Sequence, residues 1–173
     1  MSYPITYIYP IQLKDDTLVQ LRPIHPADGK IASYFRSQLS DKSIRERFLG
    51  YIPSISEKLI NRLTKINYDQ EMAIVAEVIN EKKKTAVAVA RIVGELEDKE
   101  KAEFALIIAD KWQGKGLGSQ MTDYMISIAK DMGFHTLYAL FYTDNTQMKS
   151  ILIKRGFIFE SQGYDTELGT LSL

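Results

Sequence analysis

The sequence predicts a fold of the α/β class, in an α+β arrangement with a mixed, mostly antiparallel central sheet flanked by helices. Strand-length apolar runs alternate with segments of helical spacing along the 173 residues. Short charged turns at 80–84 and 95–100 join three of the strands, which favours an antiparallel meander. One strand instead runs through a glycine-rich turn into a long helix. No linker or repeat interrupts the pattern, so we expect a single domain over residues 1–173.

The N-terminal half is predicted to contain one strand, three helices and the meander. The predicted strands are 18–24, 72–78, 85–94 and 103–108, and the predicted helices are 27–39, 41–48 and 54–66. The third helix begins at Ser54-Ile-Ser-Glu57, a capping-box pattern. Residues 1–14 form an N-terminal arm, either packed on the domain or added as an edge strand, because Pro4 and Pro10 oppose a helix.

The C-terminal half begins with the long helix. Apolar residues recur at helical spacing from Leu117 to Met132, and Gly133 follows as a typical residue after a helix end. A strand at 136–142, a helix at 145–155 and a closing hairpin of 157–162 with 166–173 are expected to follow.

Composition excludes several classes of function. Lysine plus arginine and aspartate plus glutamate balance at 22 each, so no net basic field attracts nucleic acid or an anionic membrane. The absence of cysteine excludes disulfides, thiolate metal sites and a cysteine acyl-enzyme. His25 and His135 lack acidic neighbours at ligand spacing, so we expect no metal site. Neither a signal peptide nor a membrane span is indicated, and we expect a cytoplasmic monomer or homodimer.

The glycine-rich turn reads Trp112-Gln-Gly-Lys-Gly-Leu-Gly118. Alternating glycines let backbone N–H groups approach a phosphate at the positive end of the following helix. A dinucleotide site requires G-x-G-x-x-G with an acidic residue about twenty positions later, and a phosphate loop of the Walker type requires serine or threonine after its lysine. The turn meets neither requirement convincingly, so it is interpreted as a pyrophosphate cradle of another kind.

Two motifs in order resemble the GNAT superfamily of acyl-CoA-dependent N-acyltransferases. The first is Gln-x-x-Gly-x-Gly, present as Gln113, Gly116 and Gly118. The second runs from Asn145 to Phe157, opening a helix with asparagine and ending it with Lys-Arg-Gly-Phe. The resemblance implies the GNAT fold, in which splayed strands bind the pantetheine arm of acetyl-CoA.

The N-terminal half is similar to the GNAT module of bacterial and archaeal protein-lysine acetyltransferases. The motifs that carry this likeness are Leu21-Arg-Pro-Ile-His-Pro-Ala-Asp28, Arg45-Glu-Arg-Phe48, Tyr68-Asp-Gln-Glu-Met-Ala73 and Ala102-Glu-Phe-Ala105. That module is often fused to a regulatory portion, for which 173 residues leave no room. We therefore expect regulation to differ or be absent.

The resemblance implies a role for each site residue. Glu103 would be the general base, with a surface ion pair to Lys101 or Arg91 as the structural alternative. The backbone of Leu106, Ile107 and Ile108 would bind pantetheine, and Asn145 would contact it or simply cap its helix. The other residues expected to bind the cofactor belong to the glycine turn and the helix after it: Gln113, Gly114, Lys115, Gly116, Leu117, Gly118 and Ser119.

One position departs from the family pattern. Many GNAT enzymes carry a tyrosine, the general acid, seven residues after the asparagine, and here that position is Leu152. Water, the ammonium formed in the reaction or another side chain such as Tyr142 would then protonate the thiolate.

The resemblance implies an acetyl-CoA-dependent N-acetyltransferase whose acceptor is a primary amine, with a protein lysine favoured. A small-molecule amine, such as a polyamine or amino sugar, and a non-catalytic acyl-CoA-binding module are the alternatives.

Overall fold

Eight strands form one sheet in the part of the chain that the computed structural model describes, residues 3–50, 56–80 and 83–173. The strands are β1 Tyr9–Gln12, β2 Leu18–Pro23, β3 Glu71–Asn80, β4 Lys83–Gly94, β5 Lys101–Ile108, β6 Thr136–Tyr142, β7 Ile158–Ser161 and β8 Thr166–Ser172. Their order across the sheet is β1-β2-β3-β4-β5-β6-β8-β7. Among these described strands only β5 and β6 pair in parallel, which confirms the mixed, mostly antiparallel sheet.

Five α-helices accompany the sheet in the described ranges. They are α1 Gly29–Arg36, α2 Asp41–Phe48, α3 Glu57–Thr64, α4 Leu117–Asp131 and α5 Thr146–Ile153. None of them combines the length and apolar character that a membrane crossing requires.

Alternate residues of β3 face opposite sides of the sheet, and both sides are buried. Met72 and Ile74 belong to the larger core, which α4 covers, whereas Ala73 and Val75 belong to a smaller core with Phe35 of α1. The residues of α4 in the larger core recur at helical spacing: Leu117, Met121, Met125, Ile128 and Ala129. The helices therefore cover the sheet from both sides.

A buried ion cluster joins β2, β3 and the turn before α1. The Arg22 guanidinium donates from Nη1 to Asp28 Oδ2 at 2.7 Å and from Nη2 to Glu77 Oε1 at 2.7 Å. Its Nε also donates to Glu77 Oε2 at 2.9 Å. We call Arg22, Asp28 and Glu77 the Arg22 cluster. It gives the motif Leu21–Asp28 a structural role.

The first helix is shorter than predicted. A 3-10 turn at Pro26–Asp28 precedes it, and α1 ends at Arg36 rather than at 39. The N–H groups of Ser37, Gln38 and Leu39 each donate to the carbonyl three residues earlier, so the chain tightens into 3-10-type turns there.

The third helix begins at a different serine. Ser56 Oγ accepts a hydrogen bond from Leu59 N at 3.2 Å, so Ser56 caps a helix that ends at Thr64 rather than at 66. Ser54, the predicted start, lies outside the described residues. The two serines lie two residues apart, and the pattern alone did not distinguish them.

The N-terminal arm contributes an edge strand. β1 pairs antiparallel with β2, from Tyr9 opposite Leu21 to Gln12 opposite Leu18. Of the two alternatives for this arm, the structure therefore has the added strand.

Candidate active site

The sheet opens between β5 and β6. The two strands pair only where Lys101–Glu103 lie beside Thr136–Tyr138. Beyond Glu103, β5 remains paired with β4 as far as Ile108, and β6 remains paired with β8 as far as Tyr142. The edge of β5 over Leu106, Ile107 and Ile108 therefore faces an opening where a neighbouring strand would otherwise lie.

This opening is a cavity of about 230 Å³, which we call the splayed cleft. It brings together six residues predicted for the site: Glu103, Leu106, Ile107, Ile108, Gln113 and Asn145. Residues of α2 and α5 supply further walls: Ser43, Glu46, Arg47, Phe48, Gln147, Met148 and Ile151. The glycines from Gly114 to Gly118 are not part of its lining, because they lie at the start of α4.

Glu103 lies at the point where the strands part, opposite Tyr138 on β6. Its side chain is exposed and lines the splayed cleft. In the described ranges its carboxylate has neither an ion pair nor a side-chain hydrogen bond. The two partners of the structural alternative are engaged elsewhere, since Lys101 pairs with Glu95 at 3.8 Å and Arg91 pairs with Glu71.

Tyr138 shows the influence of this carboxylate. Burial, a hydrogen bond to Glu95 and the charge of Glu103 together raise the pKa of the Tyr138 hydroxyl. This shift keeps the phenol opposite Glu103 neutral well above pH 7.

Gln113 connects the glycine turn to two neighbouring elements. Its Nε2 donates to the carbonyl oxygen of Ile108 at 3.1 Å and to Ser43 Oγ at 3.2 Å. Ser43 Oγ donates in turn to Asp110 Oδ1 at 2.6 Å. The glutamine amide thus fixes the turn against the end of β5 and against α2.

The glycine turn presents free backbone donors at the start of α4. Gly114 and Gly116 have φ angles of +75° and +88°, the left-handed region that glycine adopts without strain. Gly116 is the N-cap of α4 and has no side chain to accept from the first N–H groups of the helix. Those donors suit an anion.

Gly118 has a packing role, and its contact with the cofactor stays a prediction. A Cβ atom at this position would lie 2.9 Å from Ile151 Cδ1 and 3.0 Å from Ile108 Cδ1. Its missing side chain therefore allows α4 to pack against α5 and β5. Leu117 is also a core residue, only 1% exposed, whereas the Ser119 carbonyl accepts from Arg155 Nη2 at 2.6 Å.

Two lysines lie beside the turn. Lys115 Nζ is 2.7 Å from Asp15 Oδ2 and 4.9 Å from the centre of the Trp112 ring. The hydrogen bond from Lys115, with one from Thr17, lowers the pKa of Asp15 to about 2. Lys14, which the sequence did not indicate, lies alongside Gly116.

Asn145 caps α5. Its Oδ1 accepts from Met148 N at 3.0 Å, which confirms the structural role expected for it. Because Asn145 also lines the splayed cleft, the contact with pantetheine stays a prediction.

No tyrosine lines the splayed cleft within the described residues. Leu152 is fully buried in the larger core, and its neighbour Ile151 faces the cleft instead. Tyr142 is only 9% exposed, and the Arg45 guanidinium lies 3.9 Å from the centre of its ring. Neither position supplies a phenol to the cleft.

Comparison with known proteins agrees with this geometry. Residues 19–158 match the sequence model of the acetyltransferase (GNAT) domain family. The chain belongs to the GNAT acetyltransferases. It is 32% identical over 146 residues to Acetyltransferase PA5475 of Pseudomonas aeruginosa, an alignment covering 84% of this chain and 78% of that protein.

Solved structures share the GNAT fold. The GNAT domain of S. lividans PAT superposes with a TM-score of 0.90 at 22% identity, covering 99% of this chain and 100% of that one. RimJ of Mycobacterium smegmatis, solved in complex with CoA-disulfide, has a TM-score of 0.72 at 17% identity and covers 95% and 86%. The family assignment confirms the prediction of an acyl-CoA-dependent N-acetyltransferase.

A second cavity of this GNAT domain adjoins the splayed cleft and shares Arg47, Glu103 and Ala105 with it. It has a volume of about 190 Å³, and we call it the arginine cavity. Its lining comprises Arg47, Arg62, Leu63, Arg91, Val93, Glu103 and Ala105. The sequence indicated none of the three arginines as site residues, although Arg47 lies in the motif Arg45–Phe48. In the described part of this GNAT domain, no cluster of three or more His, Cys, Asp or Glu side chains could hold a metal ion.

Proposed function

We propose that this GNAT acetyltransferase transfers the acetyl group of acetyl-CoA to the side-chain amine of a protein lysine, with Glu103 as the general base. The observation that carries the proposal is the position of Glu103. Its carboxylate is unpaired in the described structure and borders both the splayed cleft and the arginine cavity. A base there can reach an acceptor on one side and an acyl donor on the other.

The splayed cleft fits the donor. An extended pantetheine arm requires a free strand edge, and β5 offers one over Leu106, Ile107 and Ile108. The pyrophosphate requires convergent N–H donors, and the uncapped start of α4 offers them from Gly114 to Ser119. Asn145 also lines the cleft, with its Oδ1 engaged in the cap of α5 and its amide nitrogen without a hydrogen bond in the described structure. The CoA bound to the related RimJ fold supports the same choice of donor.

Glu103 addresses the main obstacle to amine attack. A lysine amine with a pKa of ~10.4 is neutral in only about one molecule in two thousand at pH 7. Glu103 removes one proton from the lysine ammonium, directly or through one water, and the neutral nitrogen then attacks the thioester carbonyl. The nitrogen forms its bond to the carbonyl carbon, and the carbon–sulfur bond breaks to release the CoA thiolate.

The thiolate takes its proton from water or from the ammonium formed in the attack. This follows from the described part of the cleft lining, which offers no phenol. The proposed transfer is direct, and the absence of cysteine, which excludes a cysteine acyl-enzyme, supports it. A cytoplasmic location and a monomeric or dimeric state stay predictions.

The proposal is tested with isotopically labelled acetyl-CoA and a panel of proteins, lysine peptides, polyamines and amino sugars. We expect label on lysine side chains, located by mass spectrometry. Transfer to a small amine alone would contradict the protein acceptor. CoA binding measured by calorimetry without transfer to any amine would instead indicate the non-catalytic module.

A further inference from the structure

The arginine cavity carries positive charge that its surroundings do not neutralise. Arg47 comes from α2, Arg62 from α3 and Arg91 from β4. Among the described residues, the carboxylates that face them are Glu71 and Glu103. Three guanidinium groups therefore share two carboxylates, and one positive charge remains.

Glu71 is shared by two of the arginines. Its Oε2 lies 3.1 Å from Arg62 Nη1 and also accepts from Arg91 Nη2. The Arg91 side chain is only 7% exposed, and its Nε is buried with no hydrogen-bond partner in the described structure. A buried N–H group without an acceptor is destabilising, so Glu71 does not fully satisfy the Arg91 guanidinium.

Arg47 makes fewer hydrogen bonds and ion pairs than Arg91 in the described structure. Within residues 3–50, 56–80 and 83–173 its guanidinium has no ion pair and no hydrogen bond. Burial lowers the pKa of Arg47 and the adjacent charge of Arg91 acts in the same direction, whereas Glu103 opposes them. Because Arg47 lines both the splayed cleft and the arginine cavity, this unpaired cation lies where the two spaces meet.

Planar guanidinium groups bind carboxylates with paired hydrogen bonds, and such bonds are strongest where water is excluded. The cavity of about 190 Å³ has room for a group of several heavy atoms. A polyamine would instead bring further positive charge towards the arginines.

We propose that the arginine cavity binds a carboxylate that the acceptor carries close to its reactive amine. This inference rests on the proposed function, because it assumes that the acceptor reaches Glu103 from this side. Two acceptors share the chemistry: a lysine with an aspartate or glutamate nearby in its peptide, and a free amino acid with its own carboxylate.

The test compares acceptors that differ only in the carboxylate. One arm uses blocked lysine peptides with glutamate or glutamine at each neighbouring position, and the other uses free lysine and 1,5-diaminopentane. We expect kcat/KM to be about 10- to 100-fold higher with the carboxylate in at least one arm, mainly through a lower KM. The arm that shows the preference identifies the source of the carboxylate.

Variants connect the preference to the cavity. Arg47→Gln should reduce the ratio of kcat/KM with and without the carboxylate to about two-fold or less. Arg62→Gln changes a largely exposed side chain, so it should lower the same ratio while leaving the fold intact. Arg45→Gln is the matched control. Arg45 lies on the same helix, outside the arginine cavity and near Asp144, so its replacement should leave the preference unchanged.

Binding without turnover separates this inference from the proposed function. Calorimetry in the presence of CoA uses the acetylated form of each acceptor, and the carboxylate should again strengthen binding in the parent but not in Arg47→Gln. That result without any acetyl transfer would retain the carboxylate site and reject the proposed reaction. Equal rates and equal affinities for every matched pair, or a preference that survives in both cavity variants, would overturn the inference.

Discussion

The Arg22 cluster and the arginine cavity both contain arginine, but their arginines differ in how many carboxylates they contact. In the first, two buried carboxylates surround one guanidinium, with four nitrogen–oxygen contacts of 2.7–3.1 Å. In the second, Glu71 serves Arg62 and Arg91, while Arg47 has no described hydrogen-bond or ion-pair partner. The paired Arg22 stabilises a junction between elements, whereas the half-buried Arg47 has hydrogen-bond donors left for the proposed carboxylate. The two regions can therefore be distinguished by what their variants lose.

The largest expected effect compares two glutamates. Glu103→Gln should preserve stability and CoA affinity while lowering kcat by roughly 100- to 10,000-fold near pH 7, because the amine loses its base. Raising the pH should reduce the difference in kcat between parent and variant, since more of the amine is then already neutral. A pH–rate profile of parent and variant measures both effects, and equal rates at pH 7 would remove Glu103 from the mechanism.

Glu77→Gln is the matched control for that experiment. Glu77 is paired with Arg22 and is only 2% exposed, so its replacement should lower stability instead of kcat. Unchanged unfolding of Glu77→Gln would contradict the structural role of the Arg22 cluster.

The next effect compares two arginines directly. Arg22→Met should lower the free energy of unfolding by about 3–5 kcal/mol, because it leaves two buried carboxylates without their cation. Arg47→Met should be neutral or stabilising, because it removes a half-buried charge that lacks a hydrogen-bond or ion-pair partner in the described structure. Urea denaturation of both variants provides the measurement. A large loss of stability in Arg47→Met would show that its guanidinium is structurally paired after all.

A smaller effect is expected at the backbone site. Gly116→Val places a branched residue at a φ of +88°, and the resulting strain, of roughly 1–2 kcal/mol, should turn the first N–H groups of α4 away and weaken CoA binding by about ten-fold. Gly133→Val is the control, since Gly133 has a φ of +83° at the opposite end of the same helix. Both variants should lose stability, but only Gly116→Val should lose CoA affinity in calorimetry. Similar CoA affinities of the two variants would contradict the assignment of the glycine turn as a pyrophosphate cradle.

The smallest effect concerns Lys115. Lys115→Ala should weaken CoA binding by less than about five-fold, because an exposed ion pair contributes little. The Asp15 carboxyl, whose pKa is lowered to about 2, should return towards 3.8 in this variant. Because the pKa of Asp15 is lowered, the ion pair is fully formed at a pH above 3.8, the ordinary pKa. It is lost as the pH falls through about 2. A titration followed by NMR measures the shift, and an unchanged Asp15 midpoint would contradict the pairing.

Local patterns predicted the elements that depend on nearby residues. The bounds of α2 and β6 agree with the prediction, because a capping serine and an apolar run define them within a few positions. The predicted end of α1 was wrong, because the N–H groups of residues 37–39 donate to carbonyls three residues earlier in the chain instead of four. The pattern also did not reveal the packing role of Gly118, whose neighbours Ile108 and Ile151 are distant in the chain.

The arginine cavity was not predictable for the same reason. Arg47, Arg62 and Arg91 come from three elements and meet only because α2 and α3 pack on the face of the sheet that carries Glu103. Nothing in their spacing marks them as neighbours. The splayed cleft itself was implied by family resemblance, and not by periodicity, since the point where two strands part depends on their register.

The three-residue parallel contact between β5 and β6 has a consequence for folding. A ligand bound along the open edge of β5 would pair with that strand as a neighbouring strand does, and it would bind only the folded chain. By mass action, a ligand present at a hundred times its Kd adds about 2.7 kcal/mol to the free energy of unfolding. The thermal stability of this domain would then rise with the supply of its acyl donor, and an unsupplied chain would be the one most readily cleared by proteolysis.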